Sequence, residues 1–214
     1  MMLEFASSCS HMRDIDIRRE LRREMTLQHG RDPETLVVEE LGLCQGLARV
    51  DLAVINGSIH GYEIKSEQDT LNRLPGQTQT YNRVFDYVTV VTSRKHADKI
   101  AKMVPNWWGI SIAVPAESGV LLIKKRQAKK NRKTDSFALA QLLWRDEAID
   151  ALVSVGVTGI KSKPRQLLWR RLSLDIPQEE LGRIIRTRLK QRSTRWRAPS
   201  QLTSGDGLSQ PSAK

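Results

Sequence analysis

The chain has few cysteines and no long apolar run, and each shortage excludes a class of protein. Its 214 residues include two cysteines, Cys9 and Cys44. Two cysteines without a Cys or His partner at ligand spacing form neither a disulfide framework nor a zinc site. This scarcity favours a reducing, cytoplasmic location. No apolar stretch approaches the length of a membrane span, so we expect no contact with a membrane.

Residues 1–11 also lack the features of a secretory signal. They have neither a basic start nor a long apolar run, both of which a signal peptide requires. We expect this segment to be a disordered extension that precedes a natural start at Met12.

The net positive charge of the chain comes entirely from its second half. Residues 1–110 hold 14 Lys and Arg against 15 Asp and Glu, whereas residues 111–214 hold 21 against 9. A basic excess of this kind is the footprint expected for a polyanionic partner. A solvated basic surface is the alternative. We expect nucleic acid to bind this half, with contacts that include Lys124, Lys125 and Arg126.

Three charged residues lie inside two predicted strands that are joined by a turn at residues 56–57. The turn is Asn-Gly between two apolar runs, which is the strongest short signal for a β-hairpin. Glu63 and Lys65 are two residues apart and therefore point to the same face. Asp51 on the first strand can approach Glu63 if the register sets them level. Because close carboxylates repel each other, such a pair needs a cation between them.

A hard divalent ion such as Mg²⁺ favours carboxylate oxygens. Lys65 beside such an ion could position a water or neutralise charge that builds on a phosphate. These are the parts that metal-assisted hydrolysis of a phosphodiester needs.

The order of Asp51, eleven intervening residues and then Glu63-Ile64-Lys65 resembles the core of the PD-(D/E)XK nuclease superfamily, which has the restriction-endonuclease-like fold. Residues 12–108 as a whole resemble a bacterial family with this core. Val50 stands where the name of the superfamily has proline. The resemblance implies a nuclease that uses Mg²⁺ or Mn²⁺. It also implies that Asp51 and Glu63 are metal ligands and that Lys65 assists the attacking water.

Two further elements extend the resemblance on either side of the hairpin. Gln77 and Tyr81, four residues apart on a predicted helix, resemble the Gln-x-x-x-Tyr element of RecB-like members. We expect Gln77 to bind a phosphate or a metal-bound water, and Tyr81 and Arg73 to contact nucleic acid. Ordinary polar positions on a helix are the alternative for Gln77 and Tyr81, and a solvated arginine is the alternative for Arg73.

An acidic pair precedes the hairpin on a predicted helix over residues 33–41, which Asp32 and Pro33 would begin. Glu40 falls inside the apolar stripe of this helix, whereas Glu39 lies nearer its edge. We therefore expect Glu40 to be a third carboxylate at the metal. A partly buried acid with a capping role is the alternative.

The remaining pattern predicts an α/β fold, a restriction-endonuclease-like mixed sheet flanked by helices. A nuclease-like domain would cover residues 12–123 and a basic linker residues 124–134. A basic helical module would cover residues 135–197 and a disordered tail residues 198–214. Further elements predicted are helices at residues 14–28, 69–84 and 94–104, strands at residues 87–91, 110–114 and 120–123, and C-terminal helices that begin at residues 135, 164 and 177.

Together these features predict a metal-dependent nuclease that acts on nucleic acid, with DNA as the expected substrate. The basic helical module would hold the substrate backbone. The alternative is a catalytically inactive nucleic-acid-binding protein that keeps the nuclease fold, because a fold does not by itself imply a function. A protein partner for the C-terminal helices and a homodimer stay open.

Overall fold

A six-stranded mixed sheet with helices on both faces forms the body of the protein. The computed structural model describes residues 12–117 and 119–197, so the predictions for residues 1–11 and 198–214 lie outside the described residues. The strands lie in chain order, and all neighbours are antiparallel except β3–β4 and β4–β5, which are parallel. This architecture confirms the predicted α/β class.

The strands are β1 (Leu36–Leu43), β2 (Ala48–Ile55), β3 (Ile59–Lys65), β4 (Tyr87–Ser93), β5 (Gly109–Ala116) and β6 (Gly119–Arg126). The helices are α1 (Asp14–His29), α2 (Leu74–Val84), α3 (Arg94–Met103), α4 (Ser136–Ala140), α5 (Arg145–Ser154), α6 (Arg165–Asp175) and α7 (Gln178–Arg197).

Each face of the sheet has its own apolar cluster. On one face, α1 packs Ile17, Leu21 and Met25 against the sheet. On the other face, the sheet packs against the remaining helices, and this larger cluster includes Trp108, which is fully buried. The Trp108 indole N–H donates to Asn82 Oδ1 at 2.9 Å. Trp108 is therefore a core residue.

The C-terminal helices share the larger core instead of forming a separate module. Leu168 and Ile185 belong to the same apolar cluster as the strands. The structure also places residues 124–126 in β6 and not in a linker. The following segment is bound to the body, because the Asn131 amide donates to the Asp86 carbonyl at 2.8 Å and its side chain to the Phe85 carbonyl at 3.0 Å. Removing the chain after residue 125 would therefore expose the core.

The predicted helix at residues 33–41 is wrong, because β1 occupies residues 36–43. Asp32 does not cap a helix. Its carboxylate accepts from the Glu34 amide at 2.9 Å and the Thr35 hydroxyl at 2.6 Å, which forms a local turn. The next residues pair with β2, where Val37 lies opposite Val54. β-branched residues suit this half-buried pairing better than a helix.

Two other helix boundaries differ from the predictions. α2 begins at Leu74 and not at Asp69, whose carboxylate accepts from the Ser66 amide at 2.8 Å. Pro75 does not interrupt α2, because it lies in the first turn, where proline fits a helix. The helix predicted from residue 135 is two helices, α4 and α5, because a new helix begins after Trp144.

His60 gives the sheet a measurable response to acid. Its ring stacks on Tyr62 with a centroid distance of 4.2 Å, and its Nε2 lies 2.9 Å from Thr89 Oγ1. Burial lowers the pKa of His60 from 6.5 to about 4. Between these values the unfolded chain binds a proton that the folded chain does not, so stability falls as the pH drops.

We expect His60→Gln to flatten this part of the pH profile. The wild-type free energy of unfolding should fall by up to about 3 kcal/mol more than that of the variant between pH 6.5 and 4. Urea unfolding at a series of pH values measures the difference. Parallel profiles for the two proteins would contradict the assignment.

Candidate active site

Three acidic residues lie level across three neighbouring strands. β1 pairs Glu39 with Leu52 and Leu41 with Val50, which sets Glu40 opposite Asp51. The pairing of β2 with β3 ends at Leu52 and Tyr62, and Asp51 and Glu63 are the next residues on the two strands. Neighbouring strands lie about 4.8 Å apart. The structure therefore brings these carboxylates to one part of the sheet, as expected for Asp51 and Glu63.

Asp51 lies where the ladder between β2 and β3 ends. Its Oδ2 accepts from the Ile64 amide at 2.7 Å, so a side chain takes the place of a strand carbonyl. Its Oδ1 accepts from the Arg18 guanidinium at 2.7 Å. Burial raises the pKa of Asp51, and these two donors partly offset that effect. Asp51 is thus held in one orientation by a backbone amide and a cation.

Glu63 is the most enclosed acid of the site, and its two oxygens are surrounded by donors. Lys65 Nζ and Gln77 Nε2 each lie 2.6 Å from Oε1. The Tyr81 hydroxyl lies 2.6 Å from Oε2 and 2.9 Å from the Arg49 carbonyl oxygen. The contact between Lys65 and Glu63 confirms that both side chains point to the same face of β3. The helical pair Gln77 and Tyr81 serves to fix Glu63.

The charges around Glu63 act in opposite directions. Burial raises its pKa most, Lys65 lowers it, and the nearby charge of Asp51 raises it further. The net direction is upward, because the side chain is only 3% exposed. Glu63 therefore depends on a neighbouring cation to stay ionised.

An open cleft of about 820 Å³ is lined by most of the predicted residues. From the predicted set it is lined by Glu40, Asp51, Glu63, Lys65, Arg73 and Gln77. Arg73 is exposed and lines this cleft. The cleft also contains residues that the sequence did not predict, which are Asp14, Arg18, Arg49, Asp69 and Asn72.

Of the acidic pair, Glu40 lines the cleft and Glu39 does not. Glu40 lies on a strand and not on the predicted helix. It lies in β1 with a φ of 55°, a left-handed conformation that is uncommon for glutamate. Its Oε1 accepts from Arg18 at 2.8 Å and its Oε2 from Arg49 at 2.6 Å. Glu39 instead pairs with Arg22 at 3.0 Å.

The oxygen chemistry of the cleft suits a hard divalent cation. Mg²⁺ is commonly held by one or two carboxylates together with several waters, and Asp51 and Glu63 offer such a pair. Gln77 Oε1 is buried and has no hydrogen-bond partner, so it is a further oxygen available to a cation or its water. In the part of the chain that the structure describes, no three His, Cys, Asp or Glu side chains converge into a ready-made metal cage.

Four of the predicted nucleic-acid contacts are not in the cleft. Tyr81 is fully buried, so the prediction that it contacts nucleic acid is wrong. Arg126 donates to the Trp108 carbonyl at 2.7 Å, which engages it inside the protein. Lys124 and Lys125 lie on β6, four strands from β2, and Lys125 pairs with Asp98 at 2.5 Å.

Arg18 is the main residue that sequence reasoning missed. Its contact with Asp51 joins positions 33 residues apart, and no local pattern links an arginine of the first helix to the second strand. Its spacing from Asp14 suggests only an ordinary helical ion pair, which is present at 3.4 Å.

Comparisons with known proteins concern most of the chain. The family described as bacteriophage P4 protein cII matches residues 16–204. Protein cII of Enterobacteria phage P4 is 28% identical over 171 residues, which cover 77% of this chain and 64% of the phage protein. The chain thus spans slightly less than two-thirds of that relative. The name of this relative states no activity, so the resemblance to PD-(D/E)XK nucleases stays a prediction.

One solved structure is also similar, a protein of unknown function from Silicibacter pomeroyi, SPO1766. It is 20% identical, and the match covers 63% of this chain and 90% of that chain. The TM-score of 0.35 is too low for the match to support an argument.

Among the described residues, no helix combines the length and apolar character that crossing a membrane requires.

Proposed function

The chain belongs to the bacteriophage P4 protein cII family, and we propose that it is a metal-dependent nuclease that hydrolyses phosphodiester bonds, with DNA as its expected substrate. One observation carries the proposal. Glu63 is buried with Lys65 Nζ 2.6 Å from its carboxylate, and Asp51 on the neighbouring strand lines the same open cleft. A structural ion pair needs no second carboxylate and no access to solvent, whereas hydrolysis of a phosphodiester by a carboxylate-bound metal ion uses both.

Each side chain of the cleft has a distinct role in this proposal. Asp51 and Glu63 would hold the ion, with Gln77 Oε1 and Glu40 nearby. When bound, Mg²⁺ would supply Lewis-acid polarisation of the phosphate. Lys65 Nζ would orient the attacking water by hydrogen bonding. The reaction adds that water across a P–O bond, and Arg73 at the edge of the cleft would hold the phosphate backbone.

The carboxylates also require fixed geometry, and their neighbours supply it. The Ile64 amide fixes Asp51, while Tyr81 and Gln77 fix Glu63. Positioning of reacting groups accounts for much of the rate of a hydrolytic enzyme. We therefore assign Tyr81 as a positioning residue of Glu63.

A second basic cleft supports binding of a polyanion away from the reaction site. Its volume is about 840 Å³, and it lies at the opposite end of β2 and β3. Its lining includes the acids Asp86 and Glu179 and the cations Lys130, Arg132 and Arg186, and none of these three cations has an ion-pair partner among the described residues. β3 is about 20 Å long at 3.3 Å per residue, so a nucleic acid of several base pairs could reach both clefts.

Charge reversal tests this surface. We expect Lys130→Glu/Arg132→Glu to weaken DNA binding and to reduce the slope of log affinity against log salt by about 2, because roughly one counterion is released per phosphate contact. Fluorescence anisotropy at several salt concentrations measures both quantities. Lys99→Glu/Lys102→Glu on α3 changes the net charge equally and is the control. Equal effects of the two double variants would contradict a localised site.

A non-catalytic nucleic-acid-binding protein is the second candidate, and one contact favours it. Arg18 bonds both Asp51 and Glu40. A site that is permanently neutralised by its own arginine would need no metal and would cut nothing. The basic cleft would then be the functional surface.

A cleavage assay separates the two candidates. The full chain is incubated with supercoiled plasmid and with single-stranded DNA, with Mg²⁺, with Mn²⁺ and with EDTA. Metal-dependent cutting that is lost in Asp51→Asn, while thermal unfolding shows this variant to be folded, supports the nuclease. DNA binding without cutting on any substrate would refute it and leave the binding function.

A further inference from the structure

Arg18 is surrounded by the carboxylates of the candidate site. Its guanidinium lies 3.4 Å from Asp14 Oδ1, 2.8 Å from Glu40 Oε1 and 2.7 Å from Asp51 Oδ1. A fourth contact, at 3.3 Å, goes to the Asp51 carbonyl. The side chain is 19% exposed and lines the cleft. One guanidinium thus bridges carboxylates from α1, β1 and β2.

This arginine stays charged at any pH at which the protein is folded. Burial opposes the charge, but Asp51, Asp14 and Glu40 outweigh that effect and raise the pKa of Arg18 above its usual value. Its contacts cannot be released by deprotonation. While the carboxylates are ionised, these contacts are released when a different cation replaces Arg18 or a different anion attracts it.

Arg18 and a divalent ion would compete for the same oxygens. Asp51 Oδ2 accepts from the Ile64 amide, so the Asp51 oxygen left for a metal is Oδ1, which Arg18 contacts together with Glu40 Oε1. A guanidinium within hydrogen-bond distance of both leaves no room for a hydrated ion at the same position. The ion can bind fully only after Arg18 has moved.

A phosphate in the cleft offers Arg18 an alternative partner. Guanidinium groups bind phosphate oxygens in the same two-pronged geometry as carboxylates. Arg49 and Arg73 line the same cleft and would attract the backbone to this position. A bound phosphate would therefore attract the Arg18 side chain away from the carboxylates and towards its own oxygens.

We propose that Arg18 is an internal counter-ion that excludes the divalent metal from the free protein and is drawn away by the phosphate backbone of bound nucleic acid. Metal and nucleic acid then bind cooperatively, and each raises the affinity of the other by the same factor. The inference rests on the proposed function in one respect, namely that Asp51 and its neighbours hold a divalent cation.

Mn²⁺ binding to the full-length protein without nucleic acid tests the inference. We expect Arg18→Met to raise Mn²⁺ affinity at least tenfold, measured by isothermal titration calorimetry and by loss of the free Mn²⁺ electron paramagnetic resonance signal. Arg18→Lys keeps a cation at this position and should stay near the wild-type affinity. Arg22→Met is the matched control, because Arg22 lies one turn further along α1 and pairs with Glu39 instead.

Coupling to nucleic acid is the second readout. DNA affinity is measured by anisotropy with and without Ca²⁺, with EDTA as the metal-free reference. Ca²⁺ should raise the DNA affinity of the wild type. It should have a smaller effect on Arg18→Met, because the metal can bind this variant in the absence of DNA. Equal effects on the two proteins would overturn the inference.

The outcomes distinguish this inference from the proposed function. Unchanged Mn²⁺ affinity in Arg18→Met overturns the counter-ion role even if the wild type cuts DNA. Raised affinity without cutting by either protein supports the counter-ion role and refutes the nuclease. If Arg18→Met does not fold, Arg18→Gln gives the same test, because its uncharged amide can still bond one carboxylate.

Discussion

Asp51→Asn should lower the rate of Mg²⁺-dependent DNA cleavage by on the order of a thousandfold. Asparagine can still accept the hydrogen bond from the Ile64 amide, which wild-type Asp51 receives at 2.7 Å. It loses the negative charge that would face the ion. Charge stabilisation by a bound metal is worth several kcal/mol in the transition state, and each 1.36 kcal/mol changes the rate tenfold. Initial rates on supercoiled plasmid measure the loss.

A neighbouring carboxylate provides the control. Glu39 lies on the adjacent strand, is 36% exposed and pairs with Arg22 outside the cleft. Glu39→Gln removes the same charge from the same part of the sheet and should cut within about twofold of the wild type, since surface ion pairs contribute little. Thermal unfolding of both variants checks that they are folded. An Asp51→Asn rate above a tenth of the wild-type rate would contradict a role as metal ligand.

The part of the site that local patterns determine could be predicted from the sequence. The hairpin follows from Asn56-Gly57 and the alternation on either side, and the structure has the two strands that this turn predicts. The period of a strand puts Glu63 and Lys65 on one face, where they meet at 2.6 Å. These contacts depend on residues close in sequence, so their geometry is fixed by the backbone alone.

The segment before the hairpin could not be predicted, because its structure depends on a distant partner. Residues 33–41 carry a proline and acids that favour a helix start, together with apolar residues that suit a strand. Pairing with β2 decides in favour of the strand, since Leu36 and Val37 then complete the apolar faces of the sheet. Glu40 reaches the cleft through its left-handed backbone and not through a helical stripe.

The burial of a residue is a second property that a local sequence pattern does not determine. The spacing of Gln77 and Tyr81 marks a helical face directed at the site, and both contact Glu63. The sequence does not give the distance of that face from solvent. Tyr81 is buried beneath the acid, so it supports Glu63 and does not contact nucleic acid. The cationic partner of Asp51 was missed for a related reason, because α1 reaches the cleft only through tertiary packing.

Lys65→Met should destabilise the protein by about 3–5 kcal/mol at pH 7, because it leaves a buried acid without its cation. The Lys65 and Glu63 side chains are 5% and 3% exposed. Burial already raises the pKa of Glu63, and Lys65 opposes that rise. Without Lys65 the pKa of Glu63 rises further. The Glu63 carboxyl of the folded variant therefore keeps a proton that it releases in the unfolded chain. Urea unfolding at several pH values measures the resulting stability.

The sign of the pH dependence follows from this proton. A carboxyl group with a raised pKa in the folded state stabilises most below the unfolded value, and stability is lost as the pH rises through the folded value. The deficit of Lys65→Met relative to the wild type should therefore be small near pH 4.5 and grow towards pH 7. A protonated Glu63 could donate to the Tyr81 oxygen and leave the Tyr81 proton for the Arg49 carbonyl, which lies 2.9 Å away.

A double variant separates the lost charge pair from lost packing. Glu63→Gln/Lys65→Met removes both charges. Its free energy of unfolding should recover to within about 1–2 kcal/mol of the wild-type value, because replacing a whole buried pair is often nearly neutral. The extra pH dependence of Lys65→Met should also disappear. Lys125→Met breaks the exposed pair with Asp98 and is the control, with an expected change below about 1 kcal/mol. If the double variant were as unstable as Lys65→Met at pH 7, packing around Lys65, and not the unpaired charge of Glu63, would be the cause. Recovery of stability without recovery of cleavage would place Lys65 and Glu63 in the chemistry and show that the fold does not require them.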